Sequence, residues 1–250
     1  MVRPKLSLLI ALALPVVGVA GCSNGGHASQ SASSHSAGSA SPSARTGGDS
    51  TSGTVKNDTT VAIVNGHKIK GAAYNRMVTQ VRMQAEQQSQ GGRAPSAKQT
   101  KKQAMNTVVG TELLVQDADA HGFTASKSAI HHQVKQVTAR YKSAKALKQA
   151  LQKNDLTMPA LRSEAADQIK IAAYVKKELG PFTVSNKQIT SYYSQLKAQQ
   201  GSTGSRKASI PPLKKVKPQI KQQLQSQLEQ QRVSAQVAKL KKKGTVKILI

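Results

Sequence analysis

The sequence predicts a mainly α-helical domain of about seven helices, closed by a small antiparallel sheet. Two short β-prone runs, at 61–69 and 245–250, lie at opposite ends of the predicted domain. Between them, apolar residues recur at helical spacing. Capping residues, glycine and proline separate these apolar stretches, as is typical of helix ends.

The first β-prone run is a predicted hairpin, because Asn65 and Gly66 both accept positive φ. A two-stranded hairpin is marginal in water, so we predict that 245–250 adds a third strand and brings the two ends of the domain together. Period-two alternation predicts two apolar faces that would meet, with Lys247 on the opposite side. They consist of Val61, Ile63 and Ile69 in the hairpin, and Val246, Ile248 and Ile250 in the last strand.

Seven helices are predicted between these runs. The first, 72–90, follows Gly71, which is a weak cap, and the second covers 96–121. Ser126 begins the third, and Leu147 marks a short fourth. The fifth helix starts at Thr157 and Pro159 and ends at Gly180 and Pro181. A capping box of Ser185 and Gln188 begins the sixth. The seventh is a long helix over 213–243.

Residues 1–21 have the order of a signal peptide, with Arg3 and Lys5 ahead of an apolar core. The core runs into Val19, Ala20, Gly21 and Cys22, which resemble the bacterial lipobox. This resemblance implies that Cys22 is acylated and anchors the chain to the extracytoplasmic face of the cell membrane. An ordinary signal peptide with a chance cysteine is the alternative. The single cysteine also excludes an intramolecular disulfide.

Residues 22–58 are mostly Ser, Gly, Ala and Thr, with few large apolar side chains. Such a composition cannot bury enough surface to offset its ordering entropy. We therefore predict a disordered tether over 22–58 and a folded domain over 59–250.

The residues offer no catalytic constellation, and we predict no catalytic residue, no metal site and no cofactor. Glu112, Asp117 and Asp119 form the only dense acidic cluster, which we interpret as solvated helix charges. His131 and His132 are adjacent and point about 100° apart on a helix, so they chelate one ion poorly. Nucleophile-elbow and phosphate-loop motifs are absent from the sequence.

The charge is strongly basic, with 37 Lys and Arg against 11 Asp and Glu, for a net charge of +26. Part of this excess lies on the last predicted helix, at Lys214, Lys215, Lys217, Lys241, Lys242 and Lys243. These lysines form either a solvated face or a contact for polyanions, which could be anionic lipids, wall polymers or acidic unfolded segments. Nucleic acid is not a predicted partner, because the chain is predicted to be exported and has few aromatic side chains for base stacking.

Several stretches, in order along the chain, resemble the SurA/PrsA family of extracytoplasmic chaperones. They are the 61–69 hairpin, the 112–126 step between two helices, the 156–162 helix start, the 182–193 segment with Tyr192 and Tyr193, and the 216–250 closing helix and strand. The resemblance implies a SurA N-terminal-like helical domain. It also implies a chaperone that binds unfolded or newly secreted polypeptides and is attached to the membrane through its lipid.

The sequence departs from family members with isomerase activity, which carry a parvulin domain before the long last helix. Here that place holds only the 198–212 loop, too short for a folded domain. A peptidyl-prolyl isomerase and a lipoprotein that binds wall polymers or lipid surfaces remain the alternatives. Apolar side chains that could contact a client, or that are plain core, are Tyr74, Met77, Val81, Met105, Tyr192 and Tyr193.

Overall fold

The computed structural model of the protein describes residues 55–88, 95–202 and 210–250. The predicted signal peptide, Cys22 and the tether up to residue 54 lie outside these residues. The described elements are strands β1 (Thr60–Val64), β2 (His67–Lys70) and β3 (Val246–Ile248), and helices α1 (Gly71–Gln88), α2 (Ala97–Ala120), α3 (Lys127–Thr138), α4 (Ala144–Lys153), α5 (Met158–Tyr174), α6 (Asn186–Ser202) and α7 (Leu213–Lys243). The predicted fold class, mainly helical with a small sheet, is confirmed.

The sheet has the order β2-β1-β3, and both pairings are antiparallel. Asn65 and Gly66 turn between β1 and β2 with φ of 49° and 87°, the positive values that a two-residue hairpin turn requires. β3 pairs with β1 so that Val246 lies opposite Val64. The prediction that the last strand joins the hairpin is therefore confirmed.

The predicted buried face of the hairpin is wrong in one place. The register shifts between Thr60 and Ala62, so that Val61, Ala62 and Val64 are all fully buried. Ile63 lies opposite Lys68 and Lys247 and is only partly buried. A bulge breaks the period-two alternation on which the prediction relied.

The last strand is also less covered than predicted. Val246 is half-buried and packs against the core of the sheet, α1 and α2. Ile248 and Ile250 are 52 % and 54 % exposed, as expected for the outer strand of a sheet at its free edge.

Side-chain caps begin five of the described helices. The caps at Ser126, Thr157 and Ser185 are those that the sequence predicts, and the structure adds caps at Ser96 and Ser143. Ser96 and Gln99 form a capping box at α2, and Ser185 and Gln188 form another ahead of α6. Single hydroxyl caps begin α3 at Ser126, α4 at Ser143 and α5 at Thr157.

Two helix ends differ from the prediction. α5 continues into a wider π-helical turn, Val175–Leu179, before it ends at the Gly180–Pro181 peptide, which is cis. α6 extends to Ser202, so the first part of the predicted 198–212 loop is helical. Residues 203–209 of that loop lie outside the described part of the chain.

The chain between 55 and 58, which the sequence places in the tether, is held against α1. Asn75 accepts a hydrogen bond from the Val55 amide at 3.1 Å and donates one to the Val55 carbonyl at 2.7 Å. A Cβ at Gly71 would lie 2.1 Å from the Lys56 carbonyl oxygen, so only glycine fits there. Close approach of the backbone, rather than capping, explains the glycine at the start of α1.

Four apolar clusters hold the helices together, and α2 is shared by two of them. The sheet, α1 and the part of α2 up to Leu113 enclose the first, which also contains Val109. The second joins α2, α5 and α7 around Leu114 and Tyr174. The third lies among α3, α4 and α5, and the fourth joins α6 to the first half of α7.

Candidate functional site

An open groove of about 740 Å³ lies among α3, α4 and α5. Its apolar floor is formed by Ile130 and Val134 from α3, Leu147 from α4 and Met158 from α5. Val134 is buried and the other three are half-buried, so this apolar surface remains in contact with solvent. We call it the basic-rimmed groove, for the residues described next.

The sequence of α3 builds both the floor and one rim. Ile130 and Val134 are four residues apart and share one helix face. Lys127, His131 and Lys135 recur at the same four-residue spacing. His131 and Lys135 each follow an apolar floor residue by one position, so the three form a parallel row beside the apolar one.

The opposite rim carries Arg162, one turn after Met158 on α5. Lys127, Lys135 and Arg162 are all exposed, and the groove has no acidic lining residue. Within the described residues, none of these three cations forms an ion pair. The groove therefore combines an apolar floor with uncompensated positive charge on two sides.

Both acidic residues of α5 form ion pairs, one with α1 and one within α5 itself. Glu164 is paired with Arg76 of α1, and Asp167 with Lys170 at 3.1 Å. Lys170 also reaches Asp119 of α2 at 2.9 Å. Burial lowers the pKa of Lys170, but its hydrogen bonds to the two aspartates outweigh this and raise the pKa.

A buried polar cluster joins α2, α5 and α7. Tyr174 donates a hydrogen bond to Asp117 Oδ2, and Gln236 Nε2 donates to the same oxygen and to Tyr174 Oη, each at 2.9 Å. The Asp117 side chain is only 13 % exposed, so its interpretation as a solvated charge is wrong. Two of its partners, Tyr174 and Gln236, are 57 and 119 positions away, which no local pattern reveals.

This cluster is a cross-link rather than an open site. Tyr174 is 1 % exposed, and the rings of His121 and Phe123 contact its edge. Burial, followed by the hydrogen bond to Asp117, raises the pKa of Tyr174 well above its usual 10. The phenol therefore stays protonated and donates to the carboxylate.

The six apolar side chains predicted for client contact lie in two separate places. Tyr74, Val81 and Met105 are buried in the first cluster, with Met77 half-buried against it. Tyr193 is buried in the fourth cluster, where its hydroxyl donates to the Pro211 carbonyl at 3.1 Å, and Tyr192 is half-buried beside it. Core packing accounts for the buried side chains, and contact of this set with a client stays a prediction.

The six lysines of α7 form two patches rather than one. Lys214, Lys215 and Lys217 are exposed near its first turn. Lys242 and Lys243 are exposed in its last turn, and the half-buried Lys241 donates to Asn106 Oδ1 at 3.2 Å. With a rise of 1.5 Å per residue, the two patches are ~40 Å apart.

The described residues contain no group of three or more His, Cys, Asp or Glu side chains that could hold a metal ion. His131 and His132 are both exposed, and His131 lines the groove. None of the described helices combines the length and apolar character needed to cross a membrane.

Residues 45–156 match the family model described as a SurA-like N-terminal domain, which includes β1, β2 and α1–α4. No curated protein matches the chain. The hairpin followed by packed helices agrees with this match, which supports a SurA N-terminal-like family for this part of the chain.

Proposed function

We propose that the protein is a lipid-anchored extracytoplasmic chaperone that holds unfolded or newly secreted polypeptides. The match of 45–156 to the SurA-like N-terminal domain carries this proposal, since it indicates a chaperone-related role and binding of polypeptides in general. The basic-rimmed groove supports it, because an open apolar surface can receive side chains of an unfolded chain.

The test is suppression of aggregation. The full chain carrying Cys22→Ser, which cannot be acylated, is mixed in increasing amounts with a chemically unfolded test protein on dilution from denaturant. We expect light scattering to fall as the ratio approaches one chaperone per client. Scattering that equals a bovine serum albumin control at every ratio would refute the holding function.

The membrane anchor is a separate part of the proposal. The lipobox resemblance at 19–22 supports acylation of Cys22, and the composition of 22–58 would let the domain reach ~30–35 Å from its anchor. Cells expressing the protein are labelled with tritiated palmitate and fractionated. We expect label and membrane association in the natural chain and neither in Cys22→Ser. Membrane association of the variant equal to the natural chain contradicts the anchor.

A second candidate function, binding of anionic polymers or lipids, is favoured by one observation. Lys214, Lys215 and Lys217 lie at the start of α7, where the helix dipole disfavours positive charge. Helix stability therefore explains the basic last turn of α7 but not its basic first turn. Sedimentation with phosphatidylglycerol vesicles, compared between the Cys22→Ser chain and the same chain with these lysines changed to Gln, tests this candidate.

A further inference from the structure

We propose that the basic-rimmed groove selects segments of unfolded polypeptides in which apolar side chains are flanked by acidic ones. This inference rests on the proposed chaperone function and specifies which clients that function would favour. It predicts a discrimination by sequence that an apolar surface alone would not give.

The shape of the groove suits a peptide segment. Its volume of about 740 Å³ is within the range of ligand sites in proteins, but the groove is open along the surface rather than enclosed. A small amphiphile is held best where its apolar part is fully covered. A polypeptide needs only to place a few side chains on the floor while its backbone stays hydrated.

The charges of the rim define what should flank those side chains. Lys127 and Lys135 are eight residues apart on α3, which corresponds to ~12 Å along the helix axis. Two carboxylates four residues apart on an extended segment are ~13 Å apart and project to the same side. An extended peptide with acidic residues at i and i+4 therefore matches the two lysines, and apolar residues between them can meet the floor.

The neighbouring acidic residues leave the positive charges of this rim free to bind a ligand carboxylate. The acidic residues of α5, Glu164 and Asp167, are paired with Arg76 and Lys170, and neither acidic residue lines the groove. Lys127, Lys135 and Arg162 have no such partner among the described residues. A carboxylate bound between them would gain attraction without first breaking an existing ion pair.

The experiment compares two variants that lose equal charge. Both are made in the full Cys22→Ser chain. The groove variant carries Lys127→Gln, Lys135→Gln and Arg162→Gln, and the matched control carries Lys98→Gln, Lys187→Gln and Lys239→Gln, three exposed lysines outside the groove. Because all six side chains are exposed, both variants should fold, which circular dichroism verifies. The probes are two fluorescent peptides with Leu between Glu at i and i+4, or between Gln at the same positions.

We expect fluorescence anisotropy to show that the groove variant binds the Glu peptide about tenfold more weakly, equivalent to ~1.4 kcal/mol. The matched control should stay within about twofold of the parent chain. The parent should prefer the Glu peptide over the Gln peptide, and this preference should shrink as salt is raised from 50 to 300 mM.

Three results would overturn the inference. Equal weakening in both variants would assign the preference to net charge, and equal affinity for the two peptides would remove the role of the carboxylates. Loss of phosphatidylglycerol vesicle binding in the groove variant, with peptide binding unchanged, would assign the rim to lipid. In each case, suppression of client aggregation by the parent chain would show that the proposed function stands although the inference fails.

Discussion

Asn65 connects three elements through one side chain. It turns the hairpin at a φ of 49°, its Oδ1 accepts from the Thr245 amide at 2.8 Å, and its Nδ2 donates to Gln116 Oε1 at 2.8 Å. The same residue therefore shapes the turn, fixes the chain ahead of β3 and attaches the sheet to α2. Two substitutions can distinguish the contribution of its side-chain hydrogen bonds to stability from that of its backbone conformation.

We expect Asn65→Gly to lower the free energy of unfolding by ~1–2 kcal/mol, because it keeps the positive φ and loses the two side-chain hydrogen bonds. Asn65→Ala should cost ~1–2 kcal/mol more, since alanine also resists a left-handed backbone. Urea denaturation measures both values. Equal stability of the two variants would show that the positive φ at position 65 does not destabilise alanine there.

Tyr174 should make the protein sensitive to alkaline pH. Its pKa is raised in the folded state by burial and by Asp117, with Glu178 adding a smaller contribution and Gln236 opposing it. A raised pKa means that this contribution to stability is complete below pH 10, the usual pKa of tyrosine, and is lost progressively as the pH rises above 10.

We therefore expect the urea midpoint of the natural protein to fall between pH 9.5 and 11, and to fall less in Tyr174→Phe. At pH 7 the variant should be less stable by ~1–3 kcal/mol, because a hydrogen bond to a charged group is lost. Tyr74 and Tyr141 also have raised pKa values, so some alkaline loss should remain in the variant. An identical pH dependence in both proteins would contradict the role of Tyr174.

β3 has only three residues, but we expect it to contribute strongly to the stability of the domain. Val246 packs against the core, and the strand supplies β1 with its second partner. Deletion of 245–250 should lower the thermal midpoint markedly, because α7 loses its attachment to the sheet and β1 becomes an open edge. Deletion of Ile250 alone, which is 54 % exposed, is the control and should change it by no more than ~1–2 °C. A midpoint unchanged by the longer deletion would contradict this role.

Local signals predicted elements well and long-range contacts poorly. Asn65 and Gly66, the hydroxyl caps and the helical spacing were sufficient to place the hairpin and seven helices. The bulge near Val61 and the need for glycine at position 71 could not be predicted, since both depend on how separate segments approach each other.

The candidate site was only partly visible in the sequence. The apolar spacing of Ile130 and Val134 is that of one helix face, and the parallel row of Lys127, His131 and Lys135 was a signal that could have been used. What the sequence could not show is that Arg162 stands across from this row, since that depends on how α3 packs against α5.

At the scale of the whole molecule, only a short stretch of chain joins α6 to α7. Isomerase members of the resembled family carry a parvulin domain at this position. We expect the Cys22→Ser chain to leave cis/trans exchange of a Xaa-Pro peptide at its uncatalysed rate of tens to hundreds of seconds. The same preparation should suppress client aggregation. A protease-coupled peptide assay measures the exchange, and turnover that persists after a second purification would favour the isomerase alternative.

The pairing of β1 with β3 joins residues that are far apart along the chain, since Val64 and Val246 are separated by 246 − 64 = 182 positions. Synthesis delivers β1 before the seven described helices and β3 after them, so the sheet cannot be complete until α1 to α7 have been made. Contacts of such long sequence separation slow folding and leave an unpaired edge exposed in the interim. Until β3 is made, β1 therefore has an unpaired edge, and chaperones bind exposed surfaces of this kind on incompletely folded proteins.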